Sequence, residues 1–211
     1  MKRKHKLEKS ILFRGFFKDL AARYSAKTAA VIWEDADREL GRIETDHPDA
    51  ERRDLTMVFP AVALYRAIEK NVPGDALEAT RAYGTKVGQK YGNILRKVTA
   101  LPGIPSLIWK KMPAIARKMT DGYECEDVRV DDQHCSLRIT GCPMFNRAAA
   151  LGCPEAAQLI CCFDKEYLKG FRGVEYTRNR SLAEGDAYCD YLLVHSRYKT
   201  KNKTNNHGER D

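Results

Sequence analysis

The hydrophobic pattern of this chain changes its period once, at the Asp121-Gly122 turn, and this change constrains the fold more than any other feature. From about residue 8 to residue 118, apolar residues recur at the spacing of amphipathic helices, as in Phe16, Leu20 and Tyr24. After the turn, apolar or β-branched residues alternate with polar ones, which is typical of strands with one buried face. The sequence therefore predicts helices first and strands second.

The second half has four strand-like segments. The first two lie near residues 123–130 and 135–140, and the last two lie near residues 174–178 and 188–195. Each pair is separated by a short polar turn, so each is expected to form an antiparallel hairpin. Two helical pieces, which begin at Pro143 and Pro154, come between the pairs because proline suits a first helical position.

These elements predict an α+β fold, in which the helical N-terminal half packs on an antiparallel β-sheet formed by the C-terminal half. We expect one domain over residues 8–195, with the helical layer at 8–118, the sheet and short helices at 123–195, and a ligand pocket between the layers. Residues 1–7 form a basic tail in this interpretation. Residues 196–211 form a second basic tail, which is expected to be disordered because it has nothing to bury.

The formal net charge of the 211-residue chain is +8, and lysines in the two tails supply much of the excess. Acidic and basic residues are interspersed between the tails, which argues against a continuous basic face, so a nucleic-acid partner is not expected. The basic start lacks the unbroken apolar run of a signal peptide, and no segment has the length of a membrane span. We therefore expect a cytoplasmic protein with no membrane partner, although an amphipathic helix lying on a membrane is left open.

The seven cysteines are an odd number, and in a reducing compartment they are expected to be buried apolar residues, metal ligands or nucleophiles. Cys142, Cys162 and Cys189 are the candidates for a site. No Cys-x-x-Cys pair is present, so the spacing of the cysteines alone does not indicate zinc. Arg138 lies on the polar face of a predicted strand, where its guanidinium suits a carboxylate or is simply solvated.

Four motifs of the second half resemble the L-2-amino-thiazoline-4-carboxylic acid hydrolase family, over roughly residues 60–195. They are residues 139–143 (ITGCP), 151–154 (LGCP), 162–164 (CFD) and 178–190 (RNRSLAEGDAYCD). The last motif is the most specific. The chain departs from the pattern at Tyr191, where phenylalanine is usual.

The resemblance implies a hydrolase acting on carbon–nitrogen bonds, which opens a cyclic amidine that carries a carboxylate and yields a carbamoyl-cysteine. Such a reaction needs a nucleophile or activated water, an acid for the leaving atom and a cation for the carboxylate. The hypothesis assigns Cys189 or Cys162 as nucleophile, Asp164 or Asp190 as proton carrier, and Arg178 as carboxylate ligand.

Two alternatives remain open. Zinc or another divalent metal, bound by Cys142, Cys162 and Cys189 with Asp164, would activate water at the same place. The second alternative is that the chain is a non-catalytic domain that senses a small molecule or a metal. The oligomeric state is not predicted.

Overall fold

A computed structural model describes residues 6–10 and 12–196 of the chain. It confirms the α+β class, with helices in the N-terminal part and a four-stranded antiparallel sheet in the C-terminal part. The helices are α1 Phe16–Arg23, α2 Ala26–Asp46, α3 Phe59–Asn71, α4 Ala76–Val98, α5 Ile104–Lys110, α6 Met112–Met119, α7 Pro143–Ala150 and α8 Ala157–Leu168. The strands are β1 Glu124–Val130, β2 His134–Gly141, β3 Val174–Thr177 and β4 Cys189–His195.

The chain divides into two compact units, each of which is described by itself, and the single domain over residues 8–195 stays a prediction. Unit 1 contains the described residues up to Val87 together with Met144–Phe163, and unit 2 contains Gly88–Pro143 together with the described residues from Asp164 onward. Helices α4 and α8 each begin in unit 1 and end in unit 2.

Unit 1 is helical, and its helices bury large apolar side chains. The Ser25 hydroxyl caps α2 by accepting a hydrogen bond from the Thr28 backbone N–H at 3.1 Å. A short π-helix, Asp54–Val58, precedes α3. Leu7, which the prediction assigned to the basic tail, is fully buried. Residues 1–5 of that tail lie outside the described residues. The largest fully buried side chains of this unit are Leu7, Phe13, Phe16, Leu20, Ile32, Leu40, Ile43, Val58, Phe59, Leu64, Ile68 and Leu159.

Unit 2 contains the sheet, with strand order β1-β2-β4-β3 and antiparallel pairing throughout. The antiparallel pairing within both predicted hairpins is confirmed, but residues 178–188 connect β3 to β4 and are longer than the predicted short turn. The Asp131 carboxylate closes the first hairpin by accepting the backbone N–H groups of Gln133 and His134. One face of the sheet packs against α5 and α6 through Trp109 and Met112. The other members of this buried cluster are Ala116, Cys135, Leu137, Ile139, Phe171, Val174, Cys189 and Leu193.

None of the helices among the described residues is long and apolar enough to cross a membrane. The second predicted tail begins at Ser196, whose backbone N–H still bonds to the carbonyl of Gly173 at 2.9 Å. Residues 197–211 lie outside the described part of the chain.

Candidate active site

The candidate site is built around the central strand β4 of unit 2. In the antiparallel register Cys189 lies opposite Ile139 and Tyr191 lies opposite Leu137, so both side chains share the face that packs on the helices. Cys189 and Tyr191 are two positions apart on one strand, and such residues point to the same face of a sheet.

Arg178 follows β3 and is the only arginine among the buried residues of the described chain, with 6% of its surface exposed. Its Nη1 atom donates a hydrogen bond to the hydroxyl of Tyr191 at 2.9 Å. The same hydroxyl donates to Oδ2 of Asp164 at 3.0 Å. Tyr191 therefore links a buried guanidinium to a carboxyl group, and the three side chains form one hydrogen-bonded series. A buried charge needs such partners because its desolvation is costly.

Asp164 lies in the last part of α8 and is half-buried. Burial raises the pKa of its carboxyl group above the ordinary value, while the Tyr191 hydrogen bond and the positive charge of Arg178 act in the opposite direction. Asp164 therefore keeps its proton to higher pH than an exposed aspartate does. A carboxyl group in this state is suited to donate a proton to a leaving atom.

Cys189 is buried, with 6% of its surface exposed, and its sulfur accepts the backbone N–H of Leu182 at 3.3 Å. It precedes Tyr191 by two residues on the same strand face, which places the two Cα atoms about 7 Å apart. Ser181 is only 1% exposed, and its hydroxyl has no hydrogen-bond partner within the described ranges. An unsatisfied buried hydroxyl next to Leu182 is a polar group that a bound ligand or water can satisfy.

Asp190 and Arg138 face each other across β4 and β2 on the opposite face of the sheet from Tyr191. The Asp190 carboxylate accepts two backbone N–H groups, from Asn179 at 2.8 Å and Arg180 at 2.6 Å. It thereby fixes the segment that follows Arg178.

Arg138 is exposed, forms an ion pair with Glu126 at 3.0 Å and lies 4.0 Å from the ring centroid of Tyr188. The sequence hypothesis placed Arg138 and Asp190 in one site with Arg178 and Asp164. Asp190 and Tyr191 are neighbours on β4 and therefore point to opposite faces of the sheet. Arg138 and Asp190 thus lie on the face away from the Tyr191 hydroxyl, which contacts Arg178 and Asp164.

The three cysteines of the metal hypothesis fall in different units: Cys162 in unit 1, and Cys142 and Cys189 in unit 2. Cys162 packs close to Gly84, since a Cβ atom added to Gly84 would lie 3.3 Å from the Cβ atom of Cys162. No three His, Cys, Asp or Glu side chains of the described residues are arranged to hold a metal ion. The structure thus gives no support to a metal site of Cys142, Cys162 and Cys189.

Three other cysteines have raised thiol pKa values; Cys135 and Cys153 are buried, and Cys125 is half-buried. Burial raises the pKa of Cys125 and Cys135, and it raises the pKa of Cys153 to about 11. These thiols remain protonated at neutral pH and are poor nucleophiles.

The sequence profile of the L-2-amino-thiazoline-4-carboxylic acid hydrolase family matches residues 52–193, which is more than half of the chain. The chain belongs to that family. The match includes the whole series of Asp164, Arg178 and Tyr191 as well as Cys189. No curated protein sequence matches this hydrolase-family chain.

Two solved structures show only distant similarity to this member of the hydrolase family. One comes from work on haem distortion in the H-NOX family, with 12% identity, 89% of this chain and 94% of that chain covered, and a TM-score of 0.38. The other is an H-NOX protein from S. oneidensis in the Fe(II)NO state, with 10% identity, coverage of 85% and 97%, and a TM-score of 0.33. Such low scores carry no argument about fold or ligand.

Proposed function

We propose that this protein is a small-molecule hydrolase, which opens a cyclic amidine of the 2-amino-thiazoline-4-carboxylate type to a carbamoyl-cysteine. Membership of the family supports a hydrolytic reaction. The observation that carries the proposal is the hydrogen-bonded series of Asp164, Tyr191 and Arg178, which joins a proton-holding carboxyl group to a buried cation.

Arg178 is proposed to bind the carboxylate of the substrate. A guanidinium presents parallel N–H donors that match both oxygens of a carboxylate, and burial strengthens the attraction because water screens it less. Asp164 is proposed to be the proton donor, since burial raises the pKa of its carboxyl group and so favours the protonated form. Tyr191 positions these two groups relative to each other.

Cys189 is proposed as the nucleophile, because it shares the strand face of Tyr191 and its sulfur already accepts a backbone N–H. Its thiolate attacks the ring carbon between nitrogen and sulfur, the ring carbon–sulfur bond breaks, and the ring sulfur takes the proton of Asp164. Water then adds to that carbon and the bond to Cys189 breaks. One water proton goes to the ring nitrogen, and the other returns to Asp164.

The ring bond that breaks in this scheme is the carbon–sulfur bond rather than a carbon–nitrogen bond. A thiol has a pKa of about 8.5 and an amine one of about 10.4, so sulfur is the better leaving atom. The product then carries a free thiol, with the carbamoyl group on nitrogen. Thiol release during turnover, measured with a colorimetric thiol reagent, checks this step, and release of a free amine instead contradicts it.

Turnover of the thiazoline carboxylate by the full chain tests the function. We expect Asp164→Asn to lower kcat by about 10²-fold or more, which is the usual contribution of a general acid. Arg178→Lys keeps the charge but loses the paired donors, so KM should rise more than kcat falls. Asp132→Asn, in the exposed β1–β2 turn, is the matched control and should leave both values unchanged.

Cys189→Ser should abolish turnover, whereas Cys135→Ala changes a thiol of the same buried cluster and should retain the activity per folded molecule. Full activity of folded Cys189→Ser would remove the covalent step from the proposal. Absence of turnover with every related cyclic amidine would refute the function itself.

A further inference from the structure

Residues 88–120 of unit 2 contain no aspartate or glutamate, although these two residue types occupy 29 of the 211 positions in the chain. The same stretch contains seven basic residues, all of them exposed: Lys90, Arg96, Lys97, Lys110, Lys111, Arg117 and Lys118. None of the seven forms an ion pair with a residue in the described ranges. This stretch therefore presents a positive charge that no ion pair among the described residues neutralises.

Four large aliphatic side chains of this stretch are also exposed. Ile94 is 50% exposed, Val98 51%, Leu101 58% and Leu107 53%. Single exposed aliphatic residues are ordinary on protein surfaces, but four within 14 residues indicate a surface that contacts a partner. We call these four residues and the seven basic ones the basic–apolar patch.

The local structure groups the aliphatic members of the patch. Ile94 and Val98 are one turn apart on α4, so they lie on the same helix face. Leu101 occupies the tight turn that follows, where its backbone N–H bonds to the carbonyl of Val98 at 3.3 Å. Gly103 continues this turn with a φ of +81°, and an added Cβ would meet nothing within 4 Å. Leu107 lies in the middle of α5, and its backbone N–H bonds to the carbonyl of Gly103 at 2.9 Å, which ties it to this turn.

The basic members flank the aliphatic ones on both sides. Lys90 precedes Ile94 by one helical turn, and Arg96 and Lys97 lie in the last turn of α4. Lys110 and Lys111 end α5 and join it to α6. Aliphatic side chains bordered by lysine and arginine are the arrangement with which peripheral helices bind a lipid surface.

We propose that the basic–apolar patch docks this protein on the surface of a membrane that contains anionic lipids. The four aliphatic side chains enter the boundary between headgroups and acyl chains, and the basic side chains contact lipid phosphates and carboxylates. The aliphatic cluster favours a membrane over nucleic acid, because a phosphate backbone attracts the cations but offers nothing to Leu101 and Leu107. The proposed association is with the membrane surface, because no helix among the described residues is long and apolar enough to cross a membrane.

Sedimentation of the full chain with vesicles tests the proposal. We compare vesicles of phosphatidylcholine alone with vesicles that also contain phosphatidylserine, at low and high salt. Binding is expected only with the anionic vesicles and should weaken as salt is added, because salt screens the attraction. Replacing Lys110 and Lys111 together by Gln should weaken binding by roughly thirtyfold, since each cation near an anionic surface contributes about fivefold.

Replacing Leu101 and Leu107 together by Ser should weaken binding at least about tenfold, because their insertion is lost. Two control proteins carry equivalent changes elsewhere. Lys27→Gln with Arg52→Gln removes the same charge from exposed positions of unit 1, and Val128→Ser with Leu192→Ser removes two exposed aliphatic side chains from the sheet. Both controls should bind like the unchanged protein, and circular dichroism verifies that each variant is folded.

Equal binding to neutral and anionic vesicles, or no binding to either, overturns the proposal. Equal weakening by the patch variants and their controls also overturns it, since the effect would then be one of total charge or hydrophobicity. A third outcome also overturns the proposal: the protein binds duplex nucleic acid but not vesicles, and replacing the lysine pair weakens that binding whereas replacing the leucine pair does not. This result would identify nucleic acid as the partner.

Discussion

Replacing Tyr191 by Phe removes a single oxygen atom from the buried series of the candidate site and keeps the ring. That hydroxyl accepts from Arg178 at 2.9 Å and donates to Asp164 at 3.0 Å. A hydrogen bond to a charged group contributes about 1.5–3 kcal/mol, and one to a neutral group about 1 kcal/mol. Because phenylalanine avoids the desolvation of a hydroxyl, we expect the free energy of unfolding to fall by about 2–3 kcal/mol at neutral pH.

The same change should depend on pH in a defined direction. Burial raises the folded-state pKa of Asp164 above its ordinary value of 3.8, so the native state binds this proton more tightly than the unfolded state does. The contribution of this group to stability is therefore greatest at low pH and declines as pH rises through the folded-state pKa. The Tyr191 hydrogen bond opposes the increase, so its removal moves the pKa further upward. The loss of stability should consequently be larger at pH 8 than at pH 5.

Urea unfolding at both pH values, followed by circular dichroism, measures these effects. Tyr188→Phe is the matched control, since the Tyr188 ring contacts the guanidinium groups of Arg138 and Arg180 and these contacts do not require the hydroxyl. The control should change stability by less than about 0.5 kcal/mol. A loss in Tyr191→Phe no larger than in the control, or one independent of pH, would show that the hydroxyl does not bridge Arg178 and Asp164.

Two further pairs of substitutions test local backbone contacts of unit 2. Gly92→Ala should destabilise the fold by about 1–3 kcal/mol, because the added Cβ would lie 2.8 Å from the Glu166 carbonyl oxygen. In Gly103→Ala the added Cβ meets only open space, so this variant should lose about 1 kcal/mol through the positive φ of the position. Thermal unfolding compares the two variants, and equal losses of stability would contradict the close approach at Gly92. Asp190→Ala should cost about 2 kcal/mol, because two backbone N–H groups lose their acceptor, with Asp190→Asn milder since it keeps one oxygen. Urea titration checks this order, and no difference from the unchanged protein would contradict the structural role.

Part of the candidate site follows from the sequence directly. The family motifs pointed to Asp164, Arg178 and Cys189, and strand alternation placed Cys189 and Tyr191 on one face, because side-chain direction in a strand depends only on position. The sequence did not select Tyr191 as a member of the site. Its only signal was a tyrosine where the family usually has phenylalanine. The role of a hydroxyl depends on the atoms that it contacts, and the sequence does not show these.

The sequence alone determined the order of the elements and the α+β class, since helix and strand periods are local properties that neighbouring residues establish. Burial of Arg178, the raised pKa of Asp164 and the capping role of Asp190 arise from residues far apart in the chain, so only the tertiary structure decided them. The distribution of charge illustrates both what the sequence determined and what the tertiary structure decided. Composition suggested that the tails carried the excess, but folding determined that seven cations and four aliphatic side chains of residues 88–120 remain exposed together, because exposure depends on what packs against each side chain.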